Sequence, residues 1–137
     1  MNETINNLVN RRSVRSYQNK QIDEEALQQI LQAGLYAPSG MGRQPTIMVV
    51  IQDEATIKEV SRLNGAVMNS DSDPFYGAPT VIVVLADSTV PTYREDGSLV
   101  MGNLMNAAWA VGVDSCWIHR AREVFDSPEG KALLKKW

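Results

Sequence analysis

Cysteine and histidine are almost absent from this chain. Its 137 residues contain one of each, Cys116 and His119. A single cysteine excludes a disulfide within the chain, and a reducing compartment, the cytoplasm, is the simpler expectation. We expect Cys116 to pack in the interior and not to act as a nucleophile. We expect His119 to be a pocket or surface residue, so the sequence predicts no metal site.

Long hydrophobic runs and an excess of one charge are also missing. The longest apolar run, 78–86, is interrupted by Thr80 and is far too short to span a bilayer. The segment 1–10 lacks the basic start and long apolar core of a signal peptide. The net charge of -3 gives no general reason to bind nucleic acid or a membrane. We therefore expect a soluble cytoplasmic protein with neither of these as a partner.

The composition that remains is that of one globular domain. Hydrophobic residues make up 44% of the chain and charged residues 21%, which are ordinary values, and the length favours a single domain. Hydrophobic patterns predict the order helix, helix, strand, helix, strand, helix, strand, helix. The strands are predicted at Thr46–Ile51, 81–85 and 115–118, the first two as buried strands. This alternation favours an α/β or α+β sheet covered by helices.

Local signals predict several helix ends. Asp23 can cap the second helix. Gly112 follows the apolar pattern of the fourth helix and can form its C-terminal cap. Ser127 before Pro128 is a favourable helix start, because a capping hydroxyl is followed by proline at the first helical position.

The first segment that could carry chemistry is the basic segment 11–17, Arg-Arg-Ser-Val-Arg-Ser-Tyr. Arg11, Arg12 and Arg15 lie close enough to clamp a phosphate, because guanidinium groups are permanently charged, forked donors that match phosphate oxygens. The alternative is a solvated basic helix end, favoured by the helix dipole.

The second segment is 37–45, Ala-Pro-Ser-Gly-Met-Gly-Arg-Gln-Pro. Its two glycines allow backbone amides to approach a ligand closely, and Ser39, Arg43 and Gln44 offer side-chain hydrogen bonds. It is neither a phosphate-binding P-loop nor a dinucleotide fingerprint, because no Gly-Lys-Ser/Thr follows and Pro45 occupies the third glycine position. The alternative is a long loop between a helix and a strand.

The third segment is 107–119, which combines small residues with the run Gly-Val-Asp-Ser-Cys-Trp-Ile-His. Small residues permit close helix packing. An aromatic and apolar cluster of this kind is more often part of the core than the wall of a cofactor site, so core packing is the alternative to ligand binding.

Together, the three segments resemble the FMN-dependent nitroreductase family. The family pattern is Arg-Arg-Ser-x-Arg near the N-terminus, then Ala-Pro-Ser followed by Gln-Pro, then a strand similar to Gly-x-x-Ser-Cys-Trp-Ile. All three occur here in that order, and the resemblance extends from Arg11 to about Lys136. It implies an α+β fold of the α/β-sandwich type, with a mixed, mainly antiparallel sheet flanked by helices, in a single domain over 1–137.

The resemblance also implies which residues contact FMN. Those of the basic segment would hold the phosphate and ribityl chain: Arg11, Arg12, Ser13 and Arg15. Those of the second segment would lie along the flavin and its ribityl chain: Pro38, Ser39, Gly40, Met41 and Gln44. Asn64 would hydrogen-bond the pyrimidine edge of the flavin. Backbone groups near Trp117, Ile118 and His119 would pass close to the ring.

The activity implied is that of an oxidoreductase passing electrons from NAD(P)H to a small electron-poor acceptor, such as a nitroaromatic or a quinone. Donor and acceptor would use the same flavin face in turn, and the protein would supply position and electrostatics without a catalytic side chain or metal of its own. The resemblance also implies a homodimer with FMN at the interface.

Family members usually continue beyond the position of Trp137, so we expect a C-terminally truncated domain. Two other functions remain open. One is a flavin-binding module with little or no turnover because that segment is missing. The other is a domain that binds a small anion or a nucleotide phosphate through the arginine cluster.

Overall fold

The computed structural model describes residues 1–137 and has six α-helices and two β-strands. In chain order the elements are α1 (Glu3–Asn10), α2 (Glu24–Leu35), β1 (Thr46–Ile51), α3 (Glu54–Val67), β2 (Val81–Ala86), α4 (Tyr93–Ala110), α5 (Ala121–Asp126) and α6 (Pro128–Lys136). A short 3-10 turn, Gly40–Gly42, lies between α2 and β1. The predicted α+β class is confirmed.

The sheet is a two-stranded antiparallel ribbon. Thr46 pairs with Ala86 at one end, and Ile51 pairs with Val81 at the other. The predicted strand positions are therefore confirmed, but the prediction that these are buried strands is wrong for most of their residues. Ile51 and Val83 are the buried residues of the two strands, whereas Ile47 is 61% exposed. Two strands alone leave an open edge on each side, so most of their side chains keep some contact with solvent.

The predicted third strand at 115–118 is wrong. Ser115 forms an isolated parallel bridge with Ser13, in which the Val14 N–H donates to the Ser115 carbonyl over 3.0 Å. A strand requires a ladder of consecutive pairs, and this segment meets the neighbouring chain at one position. The bridge nevertheless places the first and third sequence segments side by side. The short helix α5, which the sequence patterns did not predict, follows directly.

Helices cover both faces of the ribbon, as alternating strand residues require. One face, from which Ile51 and Val83 project, packs with buried residues of α3 and α5. The other face, represented by Met48 and Val84, packs against buried residues of α2 and α4. Successive side chains of a strand point to opposite faces, so six-residue strands suffice to build two small cores.

The helix ends show why the chain turns where it does. Ser127 caps α6 by accepting from the Gly130 N–H over 3.1 Å, with Pro128 at the start of the helix, as predicted. At the end of α4, the Val113 N–H donates to the Ala108 carbonyl over 2.8 Å, and Gly112 has a φ of 79°. This left-handed cap directs the chain from α4 towards the Ser115 bridge. None of the helices is both long and apolar enough to cross a membrane.

Candidate functional site

The central element of the candidate site is α4, whose buried face carries one charged residue. Asp96, Val100, Leu104 and Ala108 recur every four residues and are all buried, because positions four apart share one face of a helix. Asp96 is only 2% exposed. Its Oδ1 accepts from the Gly40 N–H over 2.9 Å, and its Oδ2 accepts from the Thr92 hydroxyl over 2.8 Å. A carboxylate of α4 therefore holds the second sequence segment from the interior.

That second segment is a strained loop, 38–44. Met41, Gly42 and Gln44 have φ angles of 54°, 64° and 48°, in the left-handed region. Ser39 stabilises this shape, since its Oγ accepts from the Gln44 N–H over 2.9 Å. Met41 is 87% exposed. The loop turns the apolar Met41 side chain outwards, in a conformation that costs free energy at its non-glycine positions.

A cavity of about 100 Å³ lies behind the loop and is lined in part by Ser39, Gln44 and Asp96. Ligand pockets usually measure about 300–1,000 Å³, so this space is too small for a flavin. A flavin bound by the loop would have to lie against its outer surface.

In the basic segment, the arginines have different environments. The Arg11 Nη1 is buried and has no hydrogen-bond partner. The Arg12 Nη1 donates over 2.9 Å to the carbonyls of Val9 and Arg11, and so covers the C-terminal end of α1. Arg12 thus makes the contact of a basic helix end, which is the alternative to binding a phosphate. Arg15 is exposed, as is Ser13.

Tyr17 belongs to the basic segment and lies near Asp114 and Cys116 of the third segment. Its hydroxyl donates to the Val14 carbonyl. Burial, and then the neighbouring Cys116 and Asp114, raise the pKa of Tyr17 to about 12. A tyrosine is protonated at neutral pH in any case, and the raised pKa keeps this hydrogen-bond donor protonated at higher pH as well. Cys116 is partly buried, and its thiol lies 3.7 Å from the Trp117 carbonyl.

Asn64, on α3, is 3% exposed and is joined to the end of the third segment. Its Nδ2 donates to the His119 carbonyl over 2.9 Å, and its Oδ1 accepts from the Arg120 Nε over 2.9 Å. Arg120 has a φ of 79°, a value that favours glycine. Nearby, Trp117 is 48% exposed and Ile118 is partly buried. Asn64 thus fixes the backbone at His119, and its predicted contact with the flavin stays a prediction.

The structure connects the predicted site residues in two groups. The basic segment, the residues from Ser115 to His119 and Asn64 are joined directly through the contacts above. The loop 38–44 is linked to them through α4, because the Asn7 Nδ2 of α1 donates to the Asn106 carbonyl over 2.8 Å. Asp96 and Asn106 lie about 15 Å apart along the helix, given a rise of about 1.5 Å per residue.

Two residues of this arrangement were missed from the sequence, Asp96 and Arg120. Asp96 precedes Val100 and Leu104 by one and two helical turns, so the four-residue spacing could have revealed a carboxylate on the buried face. Arg120 carried no comparable signal, because its left-handed backbone is unusual for a residue with a side chain.

Comparison with protein families identifies the chain's relatives. The sequence model of the nitroreductase family matches residues 8–72. A putative NADH dehydrogenase/NAD(P)H nitroreductase of Archaeoglobus fulgidus is 32% identical over 123 residues, covering 86% of this chain and 68% of that protein. A protein of the same description from Methanothermobacter thermautotrophicus is 25% identical, covering 87% of this chain and 66% of that protein. The chain therefore spans about two thirds of the length of these relatives.

Solved structures agree with the sequence comparison. A nitroreductase with bound FMN from Bacteroides fragilis has a TM-score of 0.92 and 32% identity, covering 99% of this chain and 80% of that one. A nitroreductase with bound FMN from Desulfitobacterium hafniense has a TM-score of 0.89 and 26% identity, covering 99% of this chain and 80% of that one. The shared fold and the extent of sequence identity show that this chain belongs to the nitroreductase family.

Proposed function

We propose that the chain binds FMN and transfers electrons from NAD(P)H to a small electron-poor acceptor, such as a nitroaromatic or a quinone. The names of its relatives support this proposal, since they are described as NAD(P)H nitroreductases, and two solved neighbours contain bound FMN. Donor and acceptor would occupy the same place in turn, which gives ping-pong kinetics.

The observation that carries the proposal is the orphaned nitrogen of Arg11. Its Nη1 is buried without a hydrogen-bond partner, and leaving a buried charged donor unsatisfied costs more than about 1–3 kcal/mol. A phosphate supplies the charged acceptor that this nitrogen lacks. Arg15 and Ser13, both exposed on the same segment, could contribute further donors. The basic segment therefore fits the phosphate of FMN.

The remainder of the site fits the ribityl chain and ring. On the loop, Pro38 and Gln44 are exposed, Ser39 and Gly40 are partly buried, and Met41 offers an exposed apolar surface. FMN, when bound, supplies the acceptance and donation of hydride. The chain's own groups would orient the cofactor, and the backbone from Trp117 and Ile118 to His119, fixed by Asn64, would border the ring.

We also propose that two copies form a homodimer. The apolar residues Ile5, Leu8 and Val9 of α1 are 42%, 48% and 50% exposed. Asn7, on the opposite side of the helix, faces α4, so the apolar face points away from its own chain. A second copy that covered this face would exclude water from it.

A cytoplasmic location stays a prediction from the single cysteine.

An absorbance spectrum of the purified protein, taken after FMN is added and excess removed, tests the cofactor. We expect a retained flavin spectrum that NADH or NADPH bleaches without oxygen and that a nitroaromatic or a quinone restores. Retained flavin that neither nucleotide bleaches would identify a flavin-binding module without turnover. Phosphate binding without retained flavin would identify a small-anion domain.

A further inference from the structure

Asp96 is a buried carboxylate in the first turn of α4, where the helix dipole and the Thr92 hydroxyl favour a negative charge. It is 2% exposed, and the four ion pairs of the structure all involve other residues. Burial of a charge is costly unless the charge is paired and hydrogen-bonded. Its side-chain partners are the Thr92 hydroxyl and the Gly40 N–H, the latter 56 positions away in the chain. The Gly40 N–H is thus the side-chain partner of Asp96 that lies outside α4 and its cap.

The loop backbone at Gly40 approaches the Thr92 side chain closely. A Cβ on Gly40 would lie 2.4 Å from the Thr92 Oγ1 and 2.9 Å from its Cγ2. The loop backbone thus packs directly on the start of α4, where the Asp96 carboxylate accepts a hydrogen bond from the Gly40 N–H. From that point, the chain enters the left-handed turn at Met41 and Gly42. The contact with Asp96 therefore holds the loop at the residue that directly precedes this turn.

We infer that Asp96, supported by Thr92, is a positioning residue that holds the loop 38–44 in the conformation that receives the flavin. The inference rests on the proposed function, because it assigns a purpose to a loop conformation that FMN binding would require. Asp96 reaches the loop from the interior, so it would act through Gly40 without touching the cofactor.

Substitutions at Asp96 distinguish the effect of the loop's position from the effect of the carboxylate charge. Asp96→Asn keeps an acceptor for the Gly40 N–H and a partner for the Thr92 hydroxyl, whereas Asp96→Leu removes both. In the protein without FMN, we expect Asp96→Leu to increase hydrogen exchange at the Gly40 amide at least roughly 10-fold, and Asp96→Asn to change it little. The neighbouring exposed acid provides the control Glu95→Gln, which should leave exchange unchanged.

FMN titration, followed by flavin fluorescence, then tests the consequence. We expect roughly 10- to 100-fold weaker binding for Asp96→Leu, and a change of less than about 3-fold for Asp96→Asn and for Glu95→Gln. Thr92→Val removes one of the two bonds to Asp96 and should weaken binding by an intermediate factor. It keeps the experiment decisive if Asp96→Leu does not fold.

The outcomes distinguish this inference from the proposed function. If the unmodified chain binds FMN and the variants with faster Gly40 exchange bind it equally well, the inference is overturned and the proposed function stands. Equal losses for Asp96→Asn and Asp96→Leu would also overturn it, because charge and not position would then matter. If the unmodified chain binds no FMN, the proposed function fails and the inference fails with it.

Discussion

At the scale of single residues, Arg11 carries a buried donor whose missing hydrogen bond costs free energy that can be measured. Its Nη1 is buried and unpaired, so replacement by methionine removes an unsatisfied donor while keeping much of the side-chain volume. We expect Arg11→Met to weaken FMN binding roughly 10-fold or more, since a hydrogen bond to a charged group contributes about 1.5–3 kcal/mol. We expect the Tm of the FMN-free protein to stay unchanged or to rise, because the free energy of unfolding no longer includes the orphaned donor. Fluorescence titration and thermal unfolding measure the two effects.

The control for this prediction is Lys20→Met, which removes a cation from an exposed position near the basic segment. It should change neither the FMN affinity nor the Tm appreciably, because an exposed charge contributes little. Unchanged FMN affinity in Arg11→Met would show that the phosphate lies elsewhere.

Tyr17 gives a prediction about pH. Burial raises its pKa in the folded chain to about 12, from 10.0. Below pH 10 the phenol is protonated in both states and its stabilisation is fully present. Between pH 10 and about 12 the unfolded chain loses the proton first, so the free energy of unfolding falls. Tyr17→Phe should therefore lose less stability across this range than the unmodified protein, as measured by urea unfolding.

Tyr36 supplies the comparison, since it is 79% exposed. Tyr36→Phe should follow the unmodified protein through the same pH range. Parallel curves for Tyr17→Phe and the unmodified protein would mean that Tyr17 does not titrate with a raised pKa.

At the scale of elements, the sequence was informative where a local pattern alone determines the structure. The β-branched runs predicted both strands, and the Ser127–Pro128 pair predicted the start of α6. The segment 115–118 has a similar apolar character but forms one bridge, because a strand depends on a neighbour that local patterns do not specify. Asp96 was missed for a related reason: a buried carboxylate has a meaning only when its partner at Gly40 is known.

Two helical glycines should respond to alanine in opposite directions. In Gly130→Ala, the new Cβ would lie 1.9 Å from the Val124 carbonyl oxygen and 2.8 Å from the Phe125 Cα. Backbone atoms cannot rotate away, so α5 and α6 must separate, at a cost of about 2–4 kcal/mol. In Gly102→Ala, within α4, the Cβ would meet no atom within 4 Å, so better helix propensity should add about 0.5–1 kcal/mol.

Denaturant unfolding of the two variants measures the decrease and the increase in the free energy of unfolding in one experiment. The pair is matched, because both glycines lie inside helices and the chemical change is the same. A stable Gly130→Ala protein would mean that the α5–α6 junction is looser than its geometry indicates.

At the scale of the whole molecule, many of the residues assigned to the ligand lie on the surface of one chain. Met41 is 87% exposed and Trp117 is 48% exposed, while the cavity behind the loop measures about 100 Å³. A single copy therefore offers a flavin only an open surface. An oxidoreductase needs its reaction protected from water, and a partner chain is one source of that protection.

The apolar face of α1 is where we expect that partner to bind. Leu8→Glu places a charge on this face, one turn from Ile5 and next to Val9 in the chain, and burying it in an interface would be costly. We expect the variant to sediment as a monomer at concentrations at which the unmodified protein is a dimer. Asn6→Glu adds the same charge to the same helix on the side opposite Leu8 and should leave the dimer intact.

FMN retention by these two variants then shows whether one chain or two chains form the site. If Leu8→Glu is monomeric and loses flavin while Asn6→Glu keeps it, both copies are needed, and the open surface of each chain becomes a closed site only on association. If the monomeric variant keeps its flavin, the basic segment and the loop held by Asp96 bind the cofactor by themselves. A dimer that survives Leu8→Glu would instead mean that the copies meet through another surface, and that the exposed residues of α1 have a different partner.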